Sequence, residues 1–277
     1  MSPLAQAVEQ FLARYPAKTT QSAYRDALER FFHAGGLTDL DAVKSVTREA
    51  FPGIIYKLTC GPATVKHTVA AARAFYTFLR SLDYSIEDPT GGFKTPAVGD
   101  NAPAWNVLHQ GEPQAVLEKI VDLHDRAVFL ALVMQGWRVS ELCNLRWSNI
   151  RQAQSGEWVV EWRGKRNKHR VQGLQNTVLE AVRALGGATK PSSPFLPTSK
   201  GEAWTRHEVY GLVTRYAKRA GKRVTPHGLR ATYISSLISR KGIEAARQLV
   251  GHKSMDTTMR YSRWTILSDD PRTVEDL

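Results

Sequence analysis

The side chains near the C-terminus that could carry out chemistry fall in two short blocks. The first, TPHGLRATYISSL, contains His227 and Arg230, three positions apart. The second, LVGHKSMDTTMRYSR, contains His252 and, nine positions later, Tyr261, which we expect at the surface. A tyrosine phenol has an unperturbed pKa of about 10, so its attack on a phosphodiester needs a base and fixed positive charges. The two blocks together supply groups of both kinds.

Each block taken alone also has an ordinary structural explanation. A histidine and an arginine three positions apart share one face near the start of a helix, here directly after Pro226. Such pairs lie more often at the edge of a core than in a site. Tyr261 is equally consistent with a ring packed under a helix, and His252 with a cap on the preceding helix. Support for chemistry must therefore come from other parts of the chain.

Two upstream segments add further cations. GWRVSELCNLRW places Arg138 between two predicted helices, and Glu141 follows either as a partner of this arginine or as a surface charge. WVVEWRGKRNKHRVQGL contains two alternating runs around a basic centre, which predicts a β-hairpin with a positively charged tip. Lys165 and Lys168 are the candidate lysines of this tip.

Taken in order, these segments resemble the tyrosine recombinase, or phage integrase, family. The resemblance covers about residues 114–263 and is carried by G-x-R-x-S-E-L, the hairpin Gly-Lys, H-x-x-R, Gly-His and the final tyrosine. It favours Lys165 over Lys168, because the family's lysine directly follows a glycine. The catalytic residues that it implies are Arg138, Lys165, His227, Arg230, His252 and Tyr261.

The residue types suit distinct steps of phosphodiester cleavage. Guanidinium groups bind phosphate oxygens bidentately, which suits Arg138 and Arg230. A histidine has a pKa near neutrality, which makes His227 the best base for the phenolic proton. Lys165 suits protonation of the departing 5′-oxygen, and His252 a hydrogen bond to the phosphate. By resemblance the product is a 3′-phosphotyrosyl link, formed without metal, ATP or any other cofactor.

Composition favours a polyanionic partner. The 277 residues include 38 Lys and Arg against 26 Asp and Glu, a formal charge of +12, which favours nucleic acid over a membrane surface. No apolar run approaches the roughly 20 residues of a membrane span, and the N-terminal hydrophobic residues are not continuous as in a signal peptide. Cys60 and Cys143 have no metal-ligand spacing, so we expect neither a metal site nor disulfides, and a cytoplasmic protein.

Further basic residues are candidates for DNA contact. They lie on a predicted N-terminal helix, on the hairpin, and before His227: Lys66, His67, Arg73, Arg166, Lys168, Arg170, Lys222 and Arg223. The expected partner is double-stranded DNA with a specific recombination site, bound in the nucleoid. The resemblance implies a homotetramer on two such sites and a monomer or dimer off DNA.

The chain divides at a segment rich in Pro, Gly and Asp, DPTGGFKTPAVGDNAP. We predict a helical, SAM-like core-binding domain over residues 1–90, a linker over 91–105, and a catalytic domain with a C-terminal tail over 106–277. In the first domain we expect four helical segments, the third over about 41–59 and broken at Pro52 and Gly53. The predicted fold is mainly α with a small β-hairpin or sheet (α+β), and the resemblance implies a C-shaped clamp around DNA.

Three functions are compatible with these patterns. The first is a two-domain, Xer-like recombinase that resolves DNA molecules or integrates a mobile element. The second is a DNA-relaxing enzyme similar to type IB topoisomerases, which shares the chemistry. The third is a DNA-binding protein of the same fold without activity, which would need the positive charge but not Tyr261 beside two histidines. The complete set of candidate residues favours the first.

Overall fold

The computed structural model describes most of the chain, in the ranges 1–83, 85–95, 106–163, 169–186, 189–251, 254–255, 257–259 and 261. The chain forms two compact units, Met1–Asn101 and Ala102–Leu277. The predicted limits of the domains and linker stay predictions, since residues 96–105 lie outside the described ranges. Within these ranges, no helix has the length and apolar character needed to cross a bilayer.

The first unit is helical in the part that the structure describes. Its helices are α1 (Pro3–Ala13), α2 (Lys18–Gly35), α3 (Leu40–Lys44), α4 (Ala50–Tyr56) and α5 (Pro62–Leu82). Hydroxyl and carboxylate oxygens cap two of them: Ser2 Oγ accepts from the Ala5 amide at 3.2 Å, and Asp39 Oδ1 accepts from the Ala42 amide at 2.8 Å. Fully buried phenylalanine rings fill the core between the helices: Phe11, Phe31, Phe51 and Phe75.

The third predicted helical segment differs from the structure. It consists of two helices, α3 and α4, and the break between them lies at residues 45–49. The expected break at Pro52 and Gly53 is wrong, because both residues lie inside α4. Pro52 is the third residue of this helix, where a backbone N–H has no partner within the helix, so proline is tolerated there.

The second unit combines helices with a small sheet. Its helices are α6 (Glu112–Leu117), α7 (Leu123–Gln135), α8 (Val139–Asn144), α9 (Asn176–Arg183), α10 (Arg206–Arg219) and α11 (Pro226–Val250). The sheet is antiparallel, in the order β1 (Ile150–Gln152), β2 (Trp158–Arg163) and β3 (His169–Gly173). The predicted mainly α fold with a small sheet is confirmed, and β1 adds one strand to the expected hairpin.

Helix α7 lies at the centre of the second unit, packed against α9 and α11. Its residues from Ala127 to Gln135 are all buried, as expected of a helix that is apolar on every side. Helix α11 begins beside the end of α7 and contains one non-helical residue, Gly242, with φ 78° and ψ 164°. That position separates two helical segments of α11. Packing against α7 holds the start of α11 in place.

Candidate functional site

A cleft of about 390 Å³ in the second unit joins four of the predicted catalytic residues. These residues lie in its wall: Arg138, His227, Arg230 and Tyr261. Arg138 directly precedes α8, and the histidine and arginine of the H-x-x-R box lie in the first turns of α11. Tyr261 is the last residue that the structure describes. Segments far apart in the chain thus converge on one concave surface.

Arg230 is the most deeply buried charge of the cleft, with 3% of its surface exposed. Its guanidinium donates one hydrogen bond to the Gly136 carbonyl and another to the Val250 carbonyl, the latter at 3.3 Å. Burial and the nearby Arg138 lower the pKa of Arg230 to about 10, so the group is protonated at neutral pH. A cation held in this way is a preorganised positive charge at the cleft.

Arg138 is fixed through its main chain and its side chain by one carboxylate. Helix α7 ends at Gly136, whose φ of 60° turns the chain toward α8. The backbone N–H of Arg138 donates to Glu141 Oε2 at 2.8 Å, and Nη1 of Arg138 donates to Oε1 at 2.8 Å. The Arg138 side chain remains partly exposed to solvent. Glu141 thus orients Arg138, which is more accessible to solvent than Arg230.

Arg170, one of the predicted DNA contacts, turns into the protein and meets the same carboxylate. Its side chain is 17% exposed, and its Nη1 lies 3.3 Å from Glu141 Oε1. Its Nη2 donates to Gln172 Oε1 at 2.8 Å, and its guanidinium carbon lies 4.5 Å from the centre of a Trp162 ring. Burial alone would raise the pKa of Glu141, but Arg170 and Arg138 hold it below its ordinary value. Glu141 is therefore an ionised carboxylate shared by two guanidiniums.

His227 lies at the start of α11, on the exposed side of the cleft. The helix begins with Thr225, whose Oγ1 accepts from the Gly228 amide at 3.2 Å, followed by Pro226 at the first helical position. The N-terminus of a helix favours anions. Packing around the ring, then Arg230 and Arg138, lower the pKa of His227 below its ordinary value. The neutral imidazole is therefore the main form at pH 7, as a proton acceptor requires.

Tyr261 lies against the cleft but is not at the surface. Only 3% of it is exposed, and it packs in a core cluster with Ala231, Ile234 and Val250. The Ser235 hydroxyl donates to its backbone carbonyl at 3.2 Å. The expectation of an exposed tyrosine is wrong, because the apolar part of the ring completes the core beside α11. Tyr261 and Arg230 are close enough for charge on the phenol to favour the protonated guanidinium.

Two residues of α10 line the cleft although sequence reasoning did not select them. They are Arg206, the first residue of the helix, and Tyr210, one turn later; both are solvent-exposed. The sequence feature that could have identified them is their spacing of four positions on a helix that begins with a capping box at Thr205.

The other predicted residues have mixed placements. Four of the predicted residues lie outside the described residues: Lys165, Arg166, Lys168 and His252. Lys66 and His67 are exposed on α5, while Arg73 donates to the carbonyls of Thr90 and Phe93 at 3.3 and 3.1 Å. In the second unit Lys222 pairs with Glu112 at 2.5 Å, and Arg223 is exposed. None of these described residues lines the cleft.

The described residues contain no group of three or more His, Cys, Asp or Glu side chains arranged to hold a metal ion. Arginine side chains and a histidine that line one cleft with a tyrosine suit the binding of an anion that a phenol can attack. A phosphate group has the charge and the oxygen geometry that guanidinium groups bind best.

The chain is similar to known proteins in both sequence and fold. Residues 108–265 match the phage integrase family. Tyrosine recombinase XerA of Pyrococcus horikoshii is 27% identical over 255 residues, covering 90% of this chain and 84% of the relative. The crystal structure of XerH site-specific recombinase bound to palindromic difH substrate, a post-cleavage complex, has a TM-score of 0.74 at 18% identity, covering 89% of this chain and 77% of that chain.

A lambda integrase tetramer bound to a Holliday junction is also similar. Its TM-score is 0.70 at 16% identity, with 91% of this chain and 77% of that chain covered. At these identities the likeness to the solved structures concerns the fold.

Proposed function

The chain belongs to the phage integrase family and is a tyrosine-type site-specific recombinase, and from this premise we propose that it cuts and rejoins DNA through a 3′-phosphotyrosine on Tyr261. The observation that carries the proposal is the cleft itself. Tyr261 lines the same cavity as Arg138, His227 and Arg230. A module that only binds DNA needs the charges but not this tyrosine.

The proposed cleavage step begins with the scissile phosphate between Arg138 and Arg230. His227, neutral at pH 7, accepts the phenolic proton as the Tyr261 oxygen attacks phosphorus. A new bond joins this oxygen to the 3′-phosphate, and the bond from phosphorus to the 5′-oxygen breaks. The two guanidiniums stabilise the negative charge that develops on the non-bridging oxygens.

The departing 5′-oxygen must gain a proton, and the proposal assigns this to Lys165 on the hairpin between β2 and β3. His252, the second residue after α11 in the sequence, would hydrogen-bond the phosphate. Rejoining reverses these steps when a 5′-hydroxyl from the partner strand attacks the phosphotyrosine. Because the phosphotyrosine keeps the energy of the original bond, the exchange needs no ATP or other cofactor.

The proposed partner is double-stranded DNA with a specific site, bound in the cytoplasm as part of the nucleoid. Support comes from the net charge of +12 and from the DNA substrates of the similar recombinases. The lambda integrase relative forms a tetramer on a Holliday junction, and we propose a homotetramer on two sites here. Relaxation of DNA by a monomer, the topoisomerase-like alternative, is less favoured by these relatives.

Strand exchange tests the proposal. The site is first mapped by capturing covalent protein–DNA adducts on fragments of host DNA and sequencing their ends. Two fragments that carry this site, with different end labels, are then incubated with the protein and no metal or ATP. We expect recombinant products with both labels. Relaxation of a supercoiled plasmid without any recombinant product would instead support the topoisomerase-like alternative.

A further inference from the structure

Strand β3 has the reverse of the usual alternation of a half-buried strand. Val171 is 45% exposed, whereas its neighbours Arg170 and Gln172 face the interior, the latter with 4% exposed. A strand normally turns its apolar residues inward and its charges toward water. Burying a guanidinium costs free energy unless it is paired and hydrogen-bonded. Departures of this kind from local rules tend to mark functional positions.

Arg170 has partners on several elements that lead to the cleft. On α8 it lies 3.3 Å from Glu141 Oε1, the oxygen that also accepts from Arg138 Nη1 at 2.8 Å. On β2, the strand paired with its own, it stacks on Trp162, its register partner. In the sequence, β2 and β3 are linked by residues 164–168, which include Lys165. Arg170 therefore connects the hairpin with the carboxylate that orients Arg138.

A second set of contacts connects Arg170 with the region around Arg230. Arg170 Nη2 donates to Gln172, whose Nε2 donates to the Gln135 carbonyl at 2.9 Å. The next residue, Gly136, supplies the carbonyl that accepts from Arg230. Arg138 is thus two polar contacts away from the Arg170 guanidinium, and Arg230 is three polar contacts and one residue step away.

The turn after α11 also packs on Arg170. A Cβ added to Gly251 would lie 3.0 Å from the Arg170 Cδ, and Gly251 has a φ of 68°. The backbone at Gly251 therefore lies so close to Arg170 that a residue with a side chain would crowd the arginine. Arg170 therefore also packs against the C-terminal end of α11.

Charge sharing gives the arrangement a catalytic consequence. A carboxylate paired with Arg138 alone would form a neutral pair, with little attraction left for a phosphate. Shared with Arg170, Glu141 leaves one formal positive charge on this trio, and Arg230 adds another. The cleft therefore keeps its attraction for an anion while Arg138 is still held in one orientation.

We propose that Arg170 is a positioning residue for DNA cleavage: through Glu141 it orients Arg138 and preserves the positive charge of the cleft, and it does not itself contact DNA. This inference rests on the proposed function. It differs from the expectation that Arg170 binds the DNA backbone, which predicts weaker binding rather than slower cleavage when the residue is changed.

The test is a double-mutant cycle of Arg170→Gln and Glu141→Gln in the full-length protein. The single-turnover rate of adduct formation is measured on a nicked duplex of the mapped site, and DNA affinity is measured separately. We expect Arg170→Gln to slow cleavage about tenfold or more with affinity within about twofold of wild type. If the two residues acted independently, their losses in cleavage rate would multiply. Because they act as one unit, we expect the double variant to cleave at least about fivefold faster than that product predicts.

Arg170→Lys and Arg183→Gln complete the design. Lysine keeps the charge but not the planar fork, so Arg170→Lys should retain more activity than Arg170→Gln. Arg183 is an exposed arginine 5.1 Å from a Trp158 ring, and its glutamine variant should cleave like wild type. If Arg170→Gln does not fold, as judged by circular dichroism, the cycle is run with Arg170→Lys.

The outcomes separate this inference from the proposed function. Three results would each overturn the positioning role. The first is a double variant whose rate loss equals the product of the two single losses. The others are a wild-type cleavage rate in folded Arg170→Gln and a loss of DNA affinity that accounts for the slower rate. Coupled losses with unchanged affinity would support it. A wild-type protein that forms no adduct would overturn the proposed function itself, and the positioning role with it.

Discussion

The guanidinium of Arg230 donates a hydrogen bond to the backbone carbonyl of Gly136, two positions before Arg138. The chain that leads into one cleft arginine is thereby tied to the side chain of the other. Helix α11, which carries Arg230, also packs along α7, which ends at Gly136. Contacts within the protein therefore limit the distance between the guanidiniums of Arg138 and Arg230 before any substrate binds.

Gly136→Ala should destabilise the second unit. Gly136 has a φ of 60°, and a Cβ at this position would lie 2.2 Å from Cδ1 of Tyr233. The backbone strain costs about 1–2 kcal/mol, and displacement of the buried ring costs about 1–3 kcal/mol more. We expect a loss of about 2–5 kcal/mol in the free energy of unfolding, measured by urea denaturation.

Gly186→Ala is the matched control for this substitution. Gly186 has a similar φ of 65°, but nothing lies within 4 Å of an added Cβ. Its variant should lose only the backbone contribution, about 1–2 kcal/mol. Equal losses in the two alanine variants would show that contact with Tyr233 is unimportant.

Arg230→Lys should slow cleavage strongly while DNA binding is nearly unchanged. A lysine has no planar fork to bind the two backbone carbonyls and the phosphate at once. Loss of a preorganised donor to a transition-state oxyanion costs about 10²–10³-fold in rate. Single-turnover cleavage measures the loss, with Arg183→Lys as the control. A variant within about threefold of the wild-type rate would contradict the role of this guanidinium.

The sequence was sufficient for several of the helices, for the hairpin strands and for the order of the motifs that carry the candidate catalytic residues. Helix α10 and the core face of α5 follow from helical periodicity, and capping residues define several helix starts. The family resemblance joined Arg138 to the C-terminal blocks, which no local pattern connects. Membership of the phage integrase family, inferred from these boxes, is confirmed by the match over residues 108–265.

Other features depended on packing that no local pattern encodes. Arg170 on β3 has the charge of a DNA contact, and only the pairing of β2 with β3 and the position of Glu141 show that it turns inward. Tyr261 is buried because the cluster under α11 has room for its ring. Strand β1 has three residues, too few for alternation to be recognised.

The pH dependence of cleavage should reflect the lowered pKa of His227. Burial and the two nearby guanidiniums favour the neutral ring, which is the form that acts as base in the proposed mechanism. Activity should therefore persist as pH falls through about 6.5, the ordinary histidine value, and decline only below it. The acid limb in the pH dependence of the second-order rate constant reports the pKa of the base in the protein without DNA. The substitution His227→Gln should remove this limb.

Titration of the His227 ring by NMR gives the same pKa independently. The midpoint in the protein without DNA should agree with the kinetic limb. A midpoint above 6.5 would be inconsistent with the environment of His227, and a limb that persists in His227→Gln would belong to another group.

Arg206→Gln should weaken DNA binding with a smaller effect on the cleavage step. Arg206 lines the cleft at the start of α10, where we propose that it contacts a phosphate beside the scissile one. Loss of one phosphate contact should reduce the slope of log affinity against log salt by about 1. Lys119→Gln removes the same charge at an exposed position that does not line the cleft. Identical salt slopes in both variants would exclude the contact.

The role of Tyr261 as nucleophile is tested most directly by the Tyr261→Phe protein on the nicked duplex of the mapped site. Phenylalanine keeps the buried ring and removes only the attacking oxygen, so folding and DNA affinity should match wild type. We predict that wild type accumulates a covalent adduct, identified by mass spectrometry as a DNA-linked peptide containing Tyr261, and that Tyr261→Phe forms none. An adduct in the phenylalanine variant, or one mapped to another residue in wild type, would contradict the assignment.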